Sequence, residues 1–298
     1  MRYIFAIAEK GNISQAAKQL FIAQSSLSQF LSNYEARIGY QLFVRNTSGL
    51  TLTYSGKLYV TAAKQILDIA RELQNKITDA QQNHHGEISF GVSPFRSNIV
   101  LPEILPLFHQ HYPNINVNIV EGSSDELEKM VIQSEIDLAF VAFPLLHQNL
   151  RFVPVADEEI FIGCCRNHPI LQKTSFFNNT DRWIDIESTL KYPYIMQAKS
   201  SRVRRIVDPL FSSATSKLEV LYYTQNIETA IRLAQKEMGL IILPGTFTSS
   251  SKDVLEFISI GEKRVFRKLA IVYPSSGYLS RVSQALIEII KKRWQSLI

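Results

Sequence analysis

Residues 11–35 read GNISQAAKQLFIAQSSLSQFLSNYE, and the spacing of apolar residues in this stretch predicts two short helices joined by a tight turn. In the first helix, Ala16, Ala17 and Leu20 fall on one face, which indicates that this face packs inward. Ser14 is in position to cap the amino terminus of this helix.

The second helix has one apolar and one polar face. At 100° per residue its apolar residues lie within a narrow arc, namely Leu27, Phe30, Leu31 and Tyr34. The outer face is polar and uncharged, with Gln24, Ser25, Ser26, Ser28, Gln29, Ser32 and Asn33. Such side chains can hydrogen-bond to base edges in a DNA major groove, but polar outer faces are also the rule for solvated helices. The pattern predicts a helix-turn-helix over about residues 13–32, and leaves both interpretations of its outer face open.

Charge is concentrated in the same part of the chain. Residues 1–60 contain six basic and two acidic residues, so they carry +4 of the total formal charge of +5. A polyanion would bind to such a segment, although this excess can also occur without a partner.

A hairpin follows the two helices. Residues 41–45 are typical of a strand, residues 46–49 of a turn, and residues 50–53 alternate as a returning strand. This hairpin is interpreted as a wing. Arg45 at its mouth, with Asn46 and Thr47, can reach phosphates or a minor groove.

A long helix is predicted after the wing. Its apolar residues recur every three or four positions, at Leu58, Ala62, Ile66, Ile69, Leu73, Ile77 and Ala80. Such a stripe needs a partner, which is either a second copy of the helix, giving a dimer, or the chain's own domain. Residues 81–86 show no periodicity and are interpreted as a hinge, and His84 and His85 lack a nearby third metal ligand.

From residue 87 the pattern alternates between strands and helices, which is typical of a doubly wound parallel sheet. Strands are predicted at residues 88–92, 117–121, 136–141, 159–165, 194–196, 218–223, 240–243 and 268–273, and helices at 100–111, 124–133, 201–211, 228–235 and 280–294. We expect two similar α/β lobes with a cleft between them.

Composition and motifs narrow the class of protein. At 298 residues, with 46% hydrophobic and 20% charged residues, the chain is typical of a globular protein with two or three domains. Its apolar runs are too short to cross a bilayer and no secretory signal is evident, so a cytoplasmic location is expected. No phosphate loop, nucleophile motif or metal-spaced cluster favours an enzyme. A transport solute-binding protein would share two lobes but would carry an export signal rather than a basic winged segment.

The two cysteines, Cys164 and Cys165, are adjacent. Neighbouring strand residues point to opposite faces, so a disulfide between them is geometrically poor, and two thiols do not make a metal site. We interpret them as buried strand residues, with redox sensing as the less favoured alternative.

The order of these segments resembles the LysR-type transcriptional regulators. In the amino-terminal part the resemblance rests on AAKQL (16–20), QSSLS (24–28), LFVR (42–45), LT (52–53) and Gly56. In the remainder it rests on LP (101–102), Phe108, YP (112–113), DLA (137–139), HP (168–169) and GLIILP (239–244). Two departures are Ser25, where the family usually has proline, and Gln29, where a basic residue is frequent.

The resemblance implies a winged helix-turn-helix followed by a long linker helix and a two-lobed, periplasmic-binding-protein-like effector domain. The expected boundaries are residues 1–56 for the DNA-binding domain, 57–86 for the linker helix and hinge, and 87–298 for the effector domain. Its lobe 1 is expected at about 87–161 and 268–298, and lobe 2 at about 162–267. The expected partners are double-stranded promoter DNA, a second copy in a dimer and then a tetramer, a small-molecule effector and, as an additional candidate, RNA polymerase. No cofactor or metal is implied.

Candidate binding residues follow from these assignments. For DNA they are Gln24, Ser25, Ser28, Gln29, Arg45, Asn46 and Thr47. For the effector they lie in loops after strands, where α/β sheets bind ligands and free helix N–H groups favour anions. These residues are Ser93, Phe95 and Arg96 in one loop, Gln197 and Ser200 in a second, and Thr224, Gln225 and Thr246 after two further strands. Arg96 could pair with a carboxylate while Phe95 packs on an apolar body.

Overall fold

The computed structural model describes residues 1–46, 49–80, 86–178, 180–199, 201–214, 217–275 and 278–297. Contacts between Cα atoms divide the chain into two compact units, Met1–Ala80 and Gln81–Ile298. Thr47, Ser200 and residues 81–85 of the predicted hinge lie outside the described residues. Within the described ranges, no helix is long and apolar enough to cross a membrane.

The first unit is a winged helix-turn-helix followed by a long helix. Its elements are α1 (Arg2–Lys10), α2 (Ile13–Gln19), α3 (Gln24–Ile38), β1 (Phe43–Asn46), β2 (Gly49–Leu52) and α4 (Tyr54–Ala80). Strands β1 and β2 pair antiparallel, as the wing prediction requires. The prediction that Ser14 caps the first helix is wrong. The helix starts at Ile13, so the preceding Asn12 is the cap and its side chain accepts a hydrogen bond from the Gln15 N–H.

Close backbone contacts attach the wing to the helices. The Leu50 N–H donates to the Gly11 carbonyl oxygen at 2.7 Å. A Cβ on Gly49 would lie 2.5 Å from that oxygen, so only glycine permits the approach. The predicted end of the DNA-binding domain, residue 56, lies in the first turn of α4, so the winged part continues into the long helix without a break.

The second unit consists of a mixed sheet with helices on its faces. Its elements are β3 (Gly86–Val92), α5 (Pro94–His111), β4 (Ile115–Glu121), α6 (Ser124–Ile132), β5 (Leu138–Ala142), β6 (Leu150–Cys164), β7 (Ser175–Phe177), β8 (Asp181–Ile184), α7 (Ile186–Thr189), β9 (Tyr194–Gln197), α8 (Arg202–Ser212), β10 (Val220–Thr224), α9 (Ile227–Gln235), β11 (Leu240–Pro244), α10 (Thr248–Ser251), β12 (Glu256–Ile260), β13 (Phe266–Pro274) and α11 (Arg281–Leu297), with 3₁₀ turns at Pro169–Lys173 and Gly245–Phe247.

One strand, β6, belongs to both halves of this sheet. The strand order is β10-β9-β11-β6-β13-β5-β3-β4, with β12 also pairing β6. We call the half with β3, β4, β5 and β13 lobe 1, and the half with β7 to β12 lobe 2. Each lobe has its own core, around Phe90, Phe140 and Trp294 in lobe 1 and around Ile162, Tyr194 and Ile242 in lobe 2.

The expectation of a doubly wound parallel sheet holds for part of each lobe and is wrong for the strands that connect them. Strands β3, β4 and β5 are parallel to one another, as are β9, β10 and β11. Strand β6, however, runs antiparallel to β13, β11 and β12. The reason is that β6 passes from lobe 1 into lobe 2 and β13 returns, so both are crossing strands rather than parts of a strand-helix-strand repeat.

Two predicted boundaries were placed too late. Helix α5 begins at Pro94, after the cap position Ser93, and contains both Pro102 and Pro106. Proline is favoured in the first turn of a helix, and Pro94 takes that position here. Strand β6 begins at Leu150 rather than near residue 159, because its first nine residues are held by pairing with β13.

Arg202 of lobe 2 inserts into lobe 1. Its Nε is 2.8 Å from Asp125 Oδ1 and its Nη2 is 2.6 Å from Glu128 Oε1. Its Nη1 donates to the carbonyl oxygens of Ala142, at 2.8 Å, and Pro144. Arg202 is 6% exposed and Glu128 is fully buried. The hydrogen bonds of this guanidinium therefore join the two lobes at one edge of the space between them.

Replacing Arg202 by methionine should destabilise the second unit by about 3 to 5 kcal/mol, because Glu128 would keep its burial and lose its countercharge. The matched control is Arg204→Met on the same helix, since Arg204 is equally buried but its partner Asp208 is only half-buried. That change should cost about 1 kcal/mol. Urea unfolding of the full chain measures both, and equal losses would contradict the role given to Arg202.

Candidate nucleic-acid interface and ligand cleft

The outer face of α3 is polar and accessible. Gln24, Ser25 and Gln29 are exposed, and Ser28 is half-buried. The inward face is held by Leu27 and Leu31, which are buried in the core of the first unit. The structure therefore turns the predicted residues of α3 outward together. Whether they contact DNA stays a prediction.

Helix α3 is fixed at its carboxyl-terminal end by two polar contacts. The Glu35 carboxylate accepts from the N–H groups of Leu42, at 2.6 Å, and Phe43, at 3.1 Å. The Tyr34 and Tyr59 hydroxyls are 2.5 Å apart, which joins α3 to α4. Burial and the Tyr34 hydroxyl raise the pKa of Tyr59 to about 12, so that group stays protonated at neutral pH. These contacts align the wing and α4 with the polar face of α3.

The described residues of the wing extend the exposed surface. Arg45 and Asn46 are both exposed on β1. The Asn46 Nδ2 donates to the Thr51 hydroxyl at 3.1 Å across the hairpin. The exposed side chain of Arg45 thus lies on a strand whose pairing with β2 is reinforced by this side-chain hydrogen bond.

Phe21 was missed by the sequence reasoning. It lies in the turn between α2 and α3, is 95% exposed, and has a φ of +54°. A bulky residue in the left-handed region is uncommon, and such positions are concentrated at functional sites. Nothing in the hydrophobic periodicity distinguishes it from a buried turn residue.

A cavity of about 660 Å³ lies between the two lobes, within the size range of small-molecule sites. It is lined from lobe 1 by the start of α5, the start of α6 and β13, and from lobe 2 by the start of α8 and the segment after β11. Phe95 of lobe 1 stacks on Phe247 of lobe 2, with ring centroids 3.5 Å apart and planes at 16°. The cavity therefore has both polar lining residues and an aromatic contact between the lobes.

The structure brings together most of the predicted effector residues. Those that line the cavity are Ser93, Phe95, Arg96, Gln197, Gln225 and Thr246. Thr224 is not among the lining residues, and its hydroxyl makes a local turn with the backbone of Asn226. The lining residues that sequence reasoning missed include Ser123, Ser124, Ser201, Arg202, Phe247 and Arg267. Ser123 and Ser124 follow β4 and could have been found by the same rule, whereas Arg267 begins β13 and carries no such signal.

A buried carboxylate occupies the donors of Thr246. Glu158 Oε1 accepts from the Thr246 N–H at 2.9 Å and from its hydroxyl, and Glu158 Oε2 accepts from Arg267 Nε at 2.7 Å. Glu158 is 2% exposed. Thr246 thus lines the cavity without a free donor.

Arg96 is buried beside this group without an ion pair among the described residues. Its Nη1 donates to the Phe140 carbonyl oxygen at 3.3 Å, and its guanidinium lies 4.7 Å from the Phe140 ring centroid. Its Nε has no hydrogen-bond partner in the described structure. Burial, with repulsion from Arg267, lowers the pKa of Arg96 to about 10. Arg96 still carries its charge at neutral pH.

Cys164 and Cys165 are both buried and neither forms a disulfide. Burial raises the pKa of the Cys164 thiol to about 12. Reactive cysteines need a thiolate and access, so Cys164 has neither property of a redox sensor.

The chain matches two family models. The model of the "bacterial regulatory helix-turn-helix protein, lysR family" matches residues 1–57, and that of the "LysR substrate binding domain" matches residues 81–295. The uncharacterized HTH-type transcriptional regulator YcgK of Bacillus subtilis is 25% identical over 302 residues, covering 98% of this chain and 93% of that protein.

Solved structures show the same fold. A full-length OxyR variant from Pseudomonas aeruginosa has a TM-score of 0.69 at 21% identity, covering 98% of this chain and 92% of that one. Full-length CbnR complexed with its target DNA has a TM-score of 0.56 at 20% identity, covering 98% and 97%. These findings confirm the predicted fold class and the predicted resemblance. The chain belongs to the LysR family of transcriptional regulators, with an amino-terminal helix-turn-helix DNA-binding domain and a carboxyl-terminal effector-binding domain.

Proposed function

We propose that this regulator reads promoter DNA with the polar face of α3 and responds to a small molecule bound between its two lobes in the cytoplasm. The observation that carries this proposal is that one chain contains both an exposed, uncharged hydrogen-bonding helix face and a ligand-sized cavity lined from two lobes. The proposal gives the protein a binding role rather than an enzymatic one. RNA polymerase is the partner through which such a regulator would act.

The α3 face supports base reading more than phosphate binding. Gln24 and Gln29 can each pair with an adenine edge in the major groove, and Ser25 can donate or accept. None of these side chains carries a charge, so the electrostatic attraction must come from elsewhere. Arg45 on the wing is suited to a phosphate contact, and Thr47 beside it stays part of the proposed site from the sequence alone.

Helix α4 supports a dimer. Leu58, Ile66, Ile69, Leu73 and Ile77 are between 40% and 66% exposed. They recur at helical spacing along one side, and exposed apolar stripes of this length mark interfaces. The alternative, that the stripe packs on the chain's own winged domain, is disfavoured because the contact of α4 with that domain's core is made in its first turns, at Tyr59 and Val60. The stripe residues from Ile66 to Ile77 follow in later turns and are exposed. A tetramer would need a second interface between effector domains.

Gln29→Ala should weaken binding to a cognate fragment by about 1 to 3 kcal/mol and leave binding to random DNA nearly unchanged. The reason is that a bidentate base contact contributes only at the correct base. Genomic footprinting supplies the cognate fragment, and fluorescence anisotropy measures both affinities. Gln41→Ala, an exposed glutamine outside α3, is the control and should change neither. Equal loss on both DNAs would contradict base reading by Gln29.

Arg45→Ala should weaken binding to both DNAs alike, because a phosphate contact carries no sequence information. The slope of log affinity against log salt concentration should fall in magnitude by about one. Anisotropy titrations at several salt concentrations measure this slope. A loss confined to the cognate sequence would instead place Arg45 at a base.

Ile69→Glu should dissociate the dimer, because two copies would place carboxylates in a shared apolar contact. Thr61→Glu adds the same charge at an exposed position off the stripe and should leave the dimer intact. Sedimentation velocity of the full chain distinguishes these results. A dimer that survives Ile69→Glu would refute pairing through α4.

A further inference from the structure

The ionisable side chains that line the cleft between the lobes are Arg96, Asp125, Glu126, Arg202 and Arg267. Those that already form ion pairs within the protein have no charge to offer a ligand, so the ion pairs decide which charge the cleft presents. Asp125 is held by Arg202 and Arg205. Arg267 is paired with Glu158.

Glu126 is also occupied. Its carboxylate accepts from the Ser123 N–H and hydroxyl in a capping box at the start of α6. These bonds, the largest causes of the shift, lower the pKa of Glu126, so this carboxylate is ionised and already hydrogen-bonded. Asp125 is therefore neutralised by arginines, whereas Glu126 keeps its negative charge at an exposed position, where Ser123 and water solvate it.

Arg96 differs from the other two arginines that line the cleft, because among the described residues it has no carboxylate partner. It is 5% exposed, and Glu158, the carboxylate that acts on its charge, is hydrogen-bonded to Arg267 and Thr246. Of the five donors of a guanidinium, one makes a long bond of 3.3 Å to a carbonyl oxygen, and Nε makes none within the described structure. A buried, ionised group in this state raises the free energy of the empty protein unless an anion joins it.

The residues next to Arg96 in sequence define the rest of the site. Phe95 stacks on Phe247 across the cleft, so an aromatic pair contributed by both lobes forms the apolar part of the lining. The helix that carries Arg96, α5, has 18 residues and a cap residue, Ser93, that makes no side-chain capping bond. Its first free N–H groups therefore point to the same end of the cavity and also favour negative charge.

We propose that the effector of this regulator is a small organic acid with an apolar body, whose anionic group pairs with Arg96 and whose body packs against Phe95 and Phe247. This inference rests on the proposed function, because it assumes that the cleft is the effector site. It adds the charge and shape of the molecule that the cleft selects.

The test compares acids with their uncharged amides on the full chain. Benzoate is compared with benzamide, and phenylacetate with phenylacetamide, at equal ionic strength, by thermal unfolding and by calorimetric titration. We expect each acid to stabilise the wild-type protein more than its amide does. Arg96→Gln should weaken binding of the acid roughly tenfold or more and abolish the preference for the acid. Arg96→Lys keeps the charge and should keep part of the preference.

The control is Arg204→Gln, since Arg204 is 6% exposed, is paired with Asp208 and does not line the cavity. This variant should keep the full preference for acids. The proposal is overturned if no acid in the set binds, if the amides stabilise the wild type equally, or if the preference survives Arg96→Gln. DNA binding of the wild type, measured on the same sample, separates the two proposals. If the protein binds DNA but shows no preference for acids, only the proposed class of effector is contradicted. If it prefers acids but does not bind DNA, the proposed function as a DNA-binding regulator is contradicted.

Discussion

The width of the cleft depends on the insertion of Arg202 into lobe 1. The chain already connects the two lobes covalently at β6 and again on its return into β13, but these two connections alone would leave the lobes able to hinge. Arg202 adds hydrogen bonds to two carboxylates and two carbonyl oxygens on the other lobe. Glu128 is itself fixed by the N–H groups of Leu146 and His147. The buried charges on both sides are thus mutually satisfied, and opening the lobes at this edge would expose each of them unpaired.

Arg96, at the same cavity, shows the opposite arrangement. Its charge is buried without a carboxylate of its own, so the empty protein lacks an interaction that Arg202 has. Sites that bind ligands commonly retain such unsatisfied groups, because a fully satisfied site would have nothing to offer a ligand. The two arginines therefore have different roles in the cleft. Arg202 joins the lobes at one edge, whereas Arg96 in the lining lacks a countercharge until a ligand supplies one.

The elements and faces of the first unit were predictable because they depend on local spacing. Leu27 and Leu31 recur at helical positions, and their burial turns Gln29 outward. The state of Arg96 could not be predicted in this way, because its surroundings come from Phe140, Glu158 and Arg267, which are more than forty residues away along the chain. The antiparallel course of β6 was missed for the same reason. Its first half contains Pro154 and several charged residues, and only pairing with β13 makes it a strand.

The uncharged face of α3 bears on why a dimer would be needed. Phosphate contacts supply most of the affinity of non-specific binding, whereas base contacts supply discrimination. A helix that offers amides and hydroxyls but no charge therefore discriminates between sequences while contributing little attraction of its own. Two copies joined through α4 would bind two half-sites, so the second contact would form at high effective concentration and raise affinity without adding charge. On this argument the exposed aliphatic stripe of α4 and the neutral face of α3 are complementary properties, since pairing through α4 would supply the affinity that the neutral face lacks.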